Sequence, residues 1–319
     1  MSANNRLIDE ACAKVWHGLI GENDNQPYSN SNHHELIESI MIHWLKPSKA
    51  PEISKYIECY WFIEKSAEAK SYQYPKLNPD PSAHLIISPV TQAYHYDMNP
   101  GTADGEGSHW LFPHHQTLQL DHSKPFVHLG VKFHVGALYS LKPFSGKQPV
   151  LDSVEEVRLD RLFNELCVSE RQLIELARNN PELCCKQLDT LLLPWLANSK
   201  EDQHSQITRK ALQALDSSTI SELGSQLYCS QRTLERSFNR VTGLTLKQCQ
   251  SMNKLEAMLE YLHQRDSNDI DWVEIAFRFG FSDQPHLIRY LKKQIGLTPK
   301  TYEKERALTI DVYGGVSST

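Results

Sequence analysis

Seven cysteines (Cys12, Cys59, Cys167, Cys184, Cys185, Cys229 and Cys249) are an odd number, and no two fall in a CxxC spacing. A disulfide framework and a zinc ribbon are both poor fits, and reduced thiols are the simpler expectation. No run approaches the ~18 apolar residues of a membrane span. The opening MSANNRLIDEACAKVW lacks the basic and apolar regions of a signal peptide, so a cytoplasmic protein with no membrane partner is expected. GxSxG, GxGxxG, HExxH and the Walker A pattern are all missing, which removes the commonest signatures of nucleophilic, dinucleotide-dependent, zinc-peptidase and nucleotide chemistry. What remains is a chain of 319 residues, 40% hydrophobic and 23% charged, with mean hydropathy −0.49. That length and balance suit about two globular domains.

A net charge of −6 argues at first against a nucleic-acid partner, but it is unevenly spread. Residues 205–306 carry 15 Lys/Arg against 12 Asp/Glu, while the remainder carries 18 against 27 and holds 13 of the 15 histidines. An acidic, His-rich front part precedes a mildly basic back part.

In the front part, Leu36, Ile37, Ile40, Met41 and Trp44 recur at helical spacing and predict a helix over 34–45. Short runs rich in aromatic and β-branched residues follow, with strands expected at 56–63, 84–88, 93–98, 109–112, 117–121 and 126–134. In the last of these Val127, Leu129, Val131 and Phe133 alternate with His128, Lys132 and His134, an apolar face against a polar one. A small β-barrel or sandwich over about 50–150 is implied. After Asp152 the texture turns helical, in VEEVRLDRLFNEL, SERQLIELARN and PELCCKQLDTLLLPWLAN, giving a helical linker over about 152–200. The apolar LLLPWL is a candidate for subunit contact. His109, His114, His115, His122, His128 and His134 invite a metal hypothesis. The adjacent pair His114-His115 would point to opposite faces of a strand, and no Glu follows at the required distance. Scattered polar and surface histidines are therefore expected, with no metal and no cofactor. The aromatics Tyr60, Trp61, Phe62, Tyr94, Tyr96 and Trp110 are read as core, some of them lining a metal-free pocket for a small organic effector.

The back part contains a repeat. Glu222 to Thr245, ELGSQLYCSQRTLERSFNRVTGLT, matches Glu274 to Thr298, EIAFRFGFSDQPHLIRYLKKQIGLT, with one extra residue in the second turn. Arg236 and Arg289 are 53 residues apart, as are Gly243 and Gly296. Each copy has the parts of a helix-turn-helix. Thr219 and Glu222 form a capping box, Gly224 permits close helix approach, Tyr228-Cys229 turns, and Ser230 caps QRTLERSFNRV. Leu234, Phe238 and Val241 make the buried stripe, with Arg232, Glu235, Arg236 and Asn239 opposite. In the second copy Ile275, Ala276 and Phe279 pack, Gly280-Phe281 turns, and Ser282 or Asp283 caps a helix with Leu287, Tyr290 and Leu291 on its core side. Thr245 and Gln248 cap a long helix between the copies, and Thr298-Pro299 opens a final one.

Residues 219–302 resemble the DNA-binding domain of the AraC/XylS family of bacterial transcription regulators. Glu222-Leu223, Ser230, Leu234, Arg236, Phe238 and Gly243 carry the first half. Glu274-Ile275-Ala276, Gly280-Phe281, Asp283, Arg289, Lys292-Lys293, Gly296 and Thr298-Pro299 carry the second. More loosely, residues 46–200 resemble a sensor-type domain found ahead of this module. The resemblance implies seven helices in two subdomains, each placing a recognition helix in the major groove. Gly224, Lys254 and Met258 depart from the usual Ala, Arg and Ala, and Pro285 and Ile288 stand where the second recognition helix often carries small or polar residues. Neither Pro285 nor Ile288 donates a side-chain hydrogen bond to a base, so the first helix is expected to carry most of the readout.

The expected fold class is α+β, with an N-terminal sensor or dimerisation domain (1–200), a double helix-turn-helix domain (205–306) and a tail (307–319). The expected function is sequence-specific regulation of transcription in response to a small-molecule effector, with no catalysis. Double-stranded DNA is the partner, and RNA polymerase and a second copy of the chain are further candidates. The residues expected to meet DNA are Ser230, Gln231, Arg232, Thr233, Glu235, Arg236, Asn239, Arg240, Ser282, Gln284, His286, Arg289, Lys292 and Lys293. Rival classes are a metal-dependent β-barrel enzyme fused to a helical domain, and a protein-interaction adaptor. The polar stretch 197–206, ANSKEDQHSQ, predicts a flexible joint.

Overall fold

A computed structural model describes residues 41–67, 73–98, 100–142, 149–163, 169–263, 265 and 270–305. All of the described residues belong to one compact unit.

Strand β1 (Met41–Pro47) is joined through the short helix α1 (Pro51–Ser54) to β2 (Ile57–Lys65), and the two strands pair antiparallel. This corrects the helix expected over 34–45, of which 34–40 lie outside the described residues. Trp44 sits opposite Phe62 in the register, stacks on its ring at 6.0 Å, and donates its indole N–H to the Ala177 carbonyl at 2.9 Å. Pairing across the chain outweighs a local helical spacing built partly from strand-forming Ile and Trp.

The strands β4 (His84–Ile87), β5 (Ala93–Asp97), β7 (His109–Leu111), β8 (Leu118–Leu120) and β9 (Phe126–Phe133) lie where they were expected, as does β2, while β3 (Lys76–Leu77) and β6 (Thr102–Glu106) are short strands that were not expected. With β1, β2 and β10 (Val154–Glu156) they build two sheets, ordered β1-β2-β9-β4-β7-β10 and β3-β8-β5-β6. Strand β10 pairs with β7 and replaces the first turn of the helix expected over 154–166, and only α3 (Leu159–Leu162) remains of that helix among the described residues. Trp61, Ile63, Ile86, Leu111 and Phe126 from the large sheet share a core with Leu77, Tyr96, Leu118 and Leu120 from the small one. The opposite face of the large sheet is covered by α4 (Glu170–Asn179) and α5 (Pro181–Ala197), through Leu173, Leu188 and Leu192. Covered on both sides, β9 is buried along its whole length, so His128 is not the surface histidine expected, and Lys132 is buried with it. The alternation was real, but both of its faces point inward. Helix α2 (Ala137–Leu141) follows β9.

Beyond residue 200 the chain is all helix among the described residues: α6 (Gln203–Ala214), α7 (Ile220–Gln226), α8 (Gln231–Thr242), α9 (Leu246–His263), α10 (Trp272–Arg278), α11 (Gln284–Ile295) and α12 (Pro299–Glu305). Two cores form. Ala211, Leu215, Leu223, Leu234 and Phe238 centre the first, and Leu259, Ile275, Leu287, Leu291 and Tyr302 the second. Helix α9 serves both, giving Cys249 and Met252 to one and Leu255, Met258 and Leu262 to the other. The stretch 198–202 is tied down, contrary to a free joint. Lys200 N–H donates to the Ser140 carbonyl at 2.8 Å, Tyr139 donates to Asp202 at 2.7 Å, and Tyr56 and Ser199 share a hydrogen bond of 2.7 Å.

Candidate nucleic-acid interface

The first helix-turn-helix is built as its side chains direct. The Thr219 N–H donates to the Glu222 carboxylate at 3.3 Å and opens α7. At the turn, the Cys229 N–H reaches the Gly224 carbonyl at 2.9 Å. A Cβ on Gly224 would lie 3.1 Å from the Cys229 carbonyl oxygen and 3.3 Å from the Gln231 nitrogen, so the helices meet here because the residue is small. Ser230 caps α8, accepting from the Thr233 N–H at 3.1 Å. Leu234 and Phe238 are fully buried, while Arg232, Glu235, Arg236, Asn239 and Arg240 are exposed on the other side.

The second copy repeats the device with one change. Asp283, not Ser282, caps α11 by accepting from the His286 N–H at 2.7 Å, which absorbs the extra residue. Leu287 and Leu291 are buried, Tyr290 is half-buried, and Arg289, Lys292 and Lys293 are exposed. The connecting helix α9 opens with the expected box: the Thr245 N–H donates to Gln248 Oε1 at 2.8 Å.

Several of the expected DNA-facing side chains already have partners within the chain. Gln231 is half-buried and donates to Glu235 at 2.9 Å, and the Thr233 hydroxyl shares a 2.8 Å hydrogen bond with Ser230. Asn239 donates to the Gly243 carbonyl at 3.3 Å. Ser282 and His286 are exposed and joined at 3.2 Å, and Gln284 is half-buried. Arg240 Nε donates to the Tyr139 hydroxyl at 3.1 Å, linking α8 to the sandwich. Of the expected DNA-facing cations, Arg232 and Arg236 on α8 and Arg289, Lys292 and Lys293 on α11 remain, all exposed.

One feature of this face was not singled out as a contact. Tyr228 holds a left-handed backbone with φ 53°, and its side chain is 98% exposed. The matching position of the second copy is Gly280, at φ 69°. The signal was present in the repeat itself, which sets a Tyr against a Gly.

The sandwich grips both helix-turn-helix units. Lys132 Nζ lies 3.1 Å from Glu58 and 3.2 Å from Glu256 on α9, and the Thr117 hydroxyl donates to the Gln294 carbonyl at 2.6 Å. Gly136, at φ 77°, packs so closely that a Cβ there would lie 2.8 Å from Val241 Cγ1. A small cleft beside α9 is lined by Trp61, Asp80, His84 and Glu256. The aromatics Tyr60, Trp61, Phe62, Tyr96 and Trp110 are core.

The histidines differ from the surface scatter expected. His109, His114, His122 and His128 are buried, as is His84. His109 is joined to the Tyr96 hydroxyl at 2.8 Å and His128 to Ser88 at 2.8 Å. Burial pushes His109 down to about 4 and His122 down to about 3. Among the described residues no group of three or more His, Cys, Asp or Glu is arranged to hold a metal. No helix among them is long and apolar enough to cross a membrane.

Residues 223–305 match a family of helix-turn-helix domains, the region of the duplicated α7–α8 and α10–α11 units. The chain thus carries a helix-turn-helix domain at its C-terminal end. Residues 46–148 match a domain of unknown function. No curated protein matches the chain. Among solved structures, it is similar to ToxT from Vibrio cholerae at 11% identity, over 77% of this chain and 97% of that one, with a TM-score of 0.41. It is also similar to the DNA-binding domain of AdpA in complex with a target DNA, at 26% identity over 34% of this chain and 96% of that one, TM-score 0.27. The AraC-like transcriptional activator CuxR shares 11% identity over 63% and 74% of the two chains, TM-score 0.25.

Proposed function

We propose that the chain is a transcription regulator that reads a specific duplex sequence through α8, grips the duplex backbone through α11, and adjusts both in response to a small molecule met by its N-terminal part. The carrying observation is the pair of capped helices, α8 and α11, each seated on buried leucines with arginine or lysine outward. Arg232 and Arg236 lie one turn apart on α8, a spacing that lets both enter one major groove. Arginine pairs bidentately with guanine O6 and N7, which gives discrimination. Arg289, Lys292 and Lys293 are matched instead to phosphate, with Pro285 and Ile288 supplying no donor for a base.

The N-terminal part bears on this through Lys132–Glu256, Thr117–Gln294 and Tyr139–Arg240, which touch the connecting helix and both recognition helices. A ligand that favours one docking of the sandwich over another biases how the two recognition helices are held. The mechanism is binding with no covalent step, and it belongs where the DNA is, in the cytoplasm. We further propose that residues 205–306 are a DNA-binding domain in their own right. Footprinting of the purified chain on the DNA upstream of its own coding sequence tests the reading: a protected segment is expected that is lost in Arg232→Ala/Arg236→Ala. Uniform, sequence-independent protection would overturn it.

A further inference from the structure

Tyr228 adopts a conformation that an L-residue with a side chain avoids, and its side chain meets almost nothing in its own chain, being 98% exposed. The equivalent turn in the second copy is made with Gly280, the residue suited to it. Nothing in the packing of the first copy calls for an aromatic at this point. Strain kept with no intramolecular return points to a contact outside the chain.

The position says what that contact is. Tyr228 lies two residues before the Ser230 cap of α8, so its ring stands beside the end of the helix that would enter the groove. Between Leu223 and Leu234 the chain has no carboxylate, and its polar side chains are Ser225, Gln226, Ser230, Gln231, Arg232 and Thr233. A stretch of neutral donors with one cation, ending on a helix N-terminus, is matched to an anion. Tyrosine hydroxyls are among the groups that bind duplex phosphates.

We infer that the Tyr228 hydroxyl donates a hydrogen bond to a backbone phosphate of the bound duplex and so fixes the depth and register of α8. This rests on the DNA reading of α8 given above. Because the tyrosine is neutral, its loss weakens binding to every sequence alike and releases no fewer counterions.

The test uses the full chain, a duplex enriched by that chain from a random-sequence pool, and a scrambled duplex of equal length. Tyr228→Phe and Tyr228→Gly are each expected to lower affinity about tenfold on both duplexes, the scale of a hydrogen bond to a charged group. The slope of log affinity against log salt stays that of the unaltered chain. Thermal unfolding of Tyr228→Gly is expected at the same midpoint or higher, since glycine relieves the left-handed strain as Gly280 does. A merely structural tyrosine would lower that midpoint and leave Tyr228→Phe unaffected in binding. Unaltered affinity in both variants overturns the inference while leaving the α8 reading intact. Loss in Tyr228→Gly alone also overturns it, because the ring and not the hydroxyl would then matter. If the unaltered chain prefers no duplex at all, the α8 reading fails and this contact with it.

Discussion

Lys132 on β9 lies 3.2 Å from the Glu256 carboxylate on α9, so a strand of the sandwich and the helix joining the two DNA-binding units are held by one ion pair. Glu58, at 3.1 Å from the same ammonium, and the nearby Asp80 leave the cluster with more negative charges than positive. Burial lowers the Lys132 pKa, but Glu58, Asp80 and Glu256 together outweigh it and keep the lysine charged. Burial pushes Glu256 up to about 7 against the pull of Lys132. A carboxyl raised in the fold stabilises it fully below its unfolded value near 4.5, and that contribution is lost as pH rises through about 7. Glu256→Gln is therefore expected to flatten the stability profile between about 4.5 and 7, near neutral below that window and more stable than the unaltered chain above it. Lys132→Met, which strands several acids, should cost about 3–5 kcal/mol. Thermal unfolding below 4.5 and above 7 checks both.

The sandwich should be acid-labile for the opposite reason. His109, His122 and His128 are held neutral by burial, with His128 well below the ordinary 6.5. Unfolded, each takes up a proton near 6.5, so folding stability is full above that pH and falls as pH drops toward 4. Each histidine contributes a slope of up to about 1.4 kcal/mol per pH unit across this window. Near-ultraviolet circular dichroism of the buried Trp61 and Trp110 follows the loss. A signal unchanged down to pH 4 would show these histidines to be protonated in the folded chain.

Much of this architecture could be read from local pattern, and the reasons are visible in particular residues. Six strands were placed from β-branched and aromatic runs, and both helix-turn-helix units from Thr219, Ser230 and Asp283 ahead of leucine stripes. What failed depended on partners distant in sequence. Met41–Leu45 reads as helix by spacing, yet pairs with β2, because only the fold brings Phe62 and Ala177 to Trp44. Val154–Glu156 is strand because Leu111 is there to receive it. His128 of β9 was expected among surface histidines because nothing local announces a second layer over that face. Docking of the sandwich on α8 and α9 was equally invisible. It rests on Lys132, Tyr139 and Gly136, none of which has a motif.

On α8, Arg236→Ala is expected to remove about 1–3 kcal/mol of discrimination between the enriched and scrambled duplexes while leaving salt-dependent non-specific binding mostly intact. Lys292→Ala or Lys293→Ala should weaken binding to both and reduce the salt slope by about one unit. Gel-shift titrations at several salt concentrations separate the two outcomes. Full preference retained by a folded Arg236→Ala would move the reading surface off α8.

Gly136 offers the sharpest probe of how the sandwich controls α8. Its φ of 77° is left-handed, and a Cβ would sit 2.8 Å from Val241 Cγ1, a buried atom of the recognition helix. Gly136→Ala thus meets two separate penalties, backbone strain of about 1–2 kcal/mol and a clash across the docking surface. Val241→Ala removes the atom that is struck, but not the strain. In the Val241→Ala background, Gly136→Ala should therefore cost only the strain, about 1 kcal/mol less than in the unaltered chain. Denaturant unfolding of the four chains measures that difference directly. Strictly additive costs would mean that Gly136 and Val241 do not touch, and the sandwich would then have to act on α8 through Tyr139 and Arg240 alone.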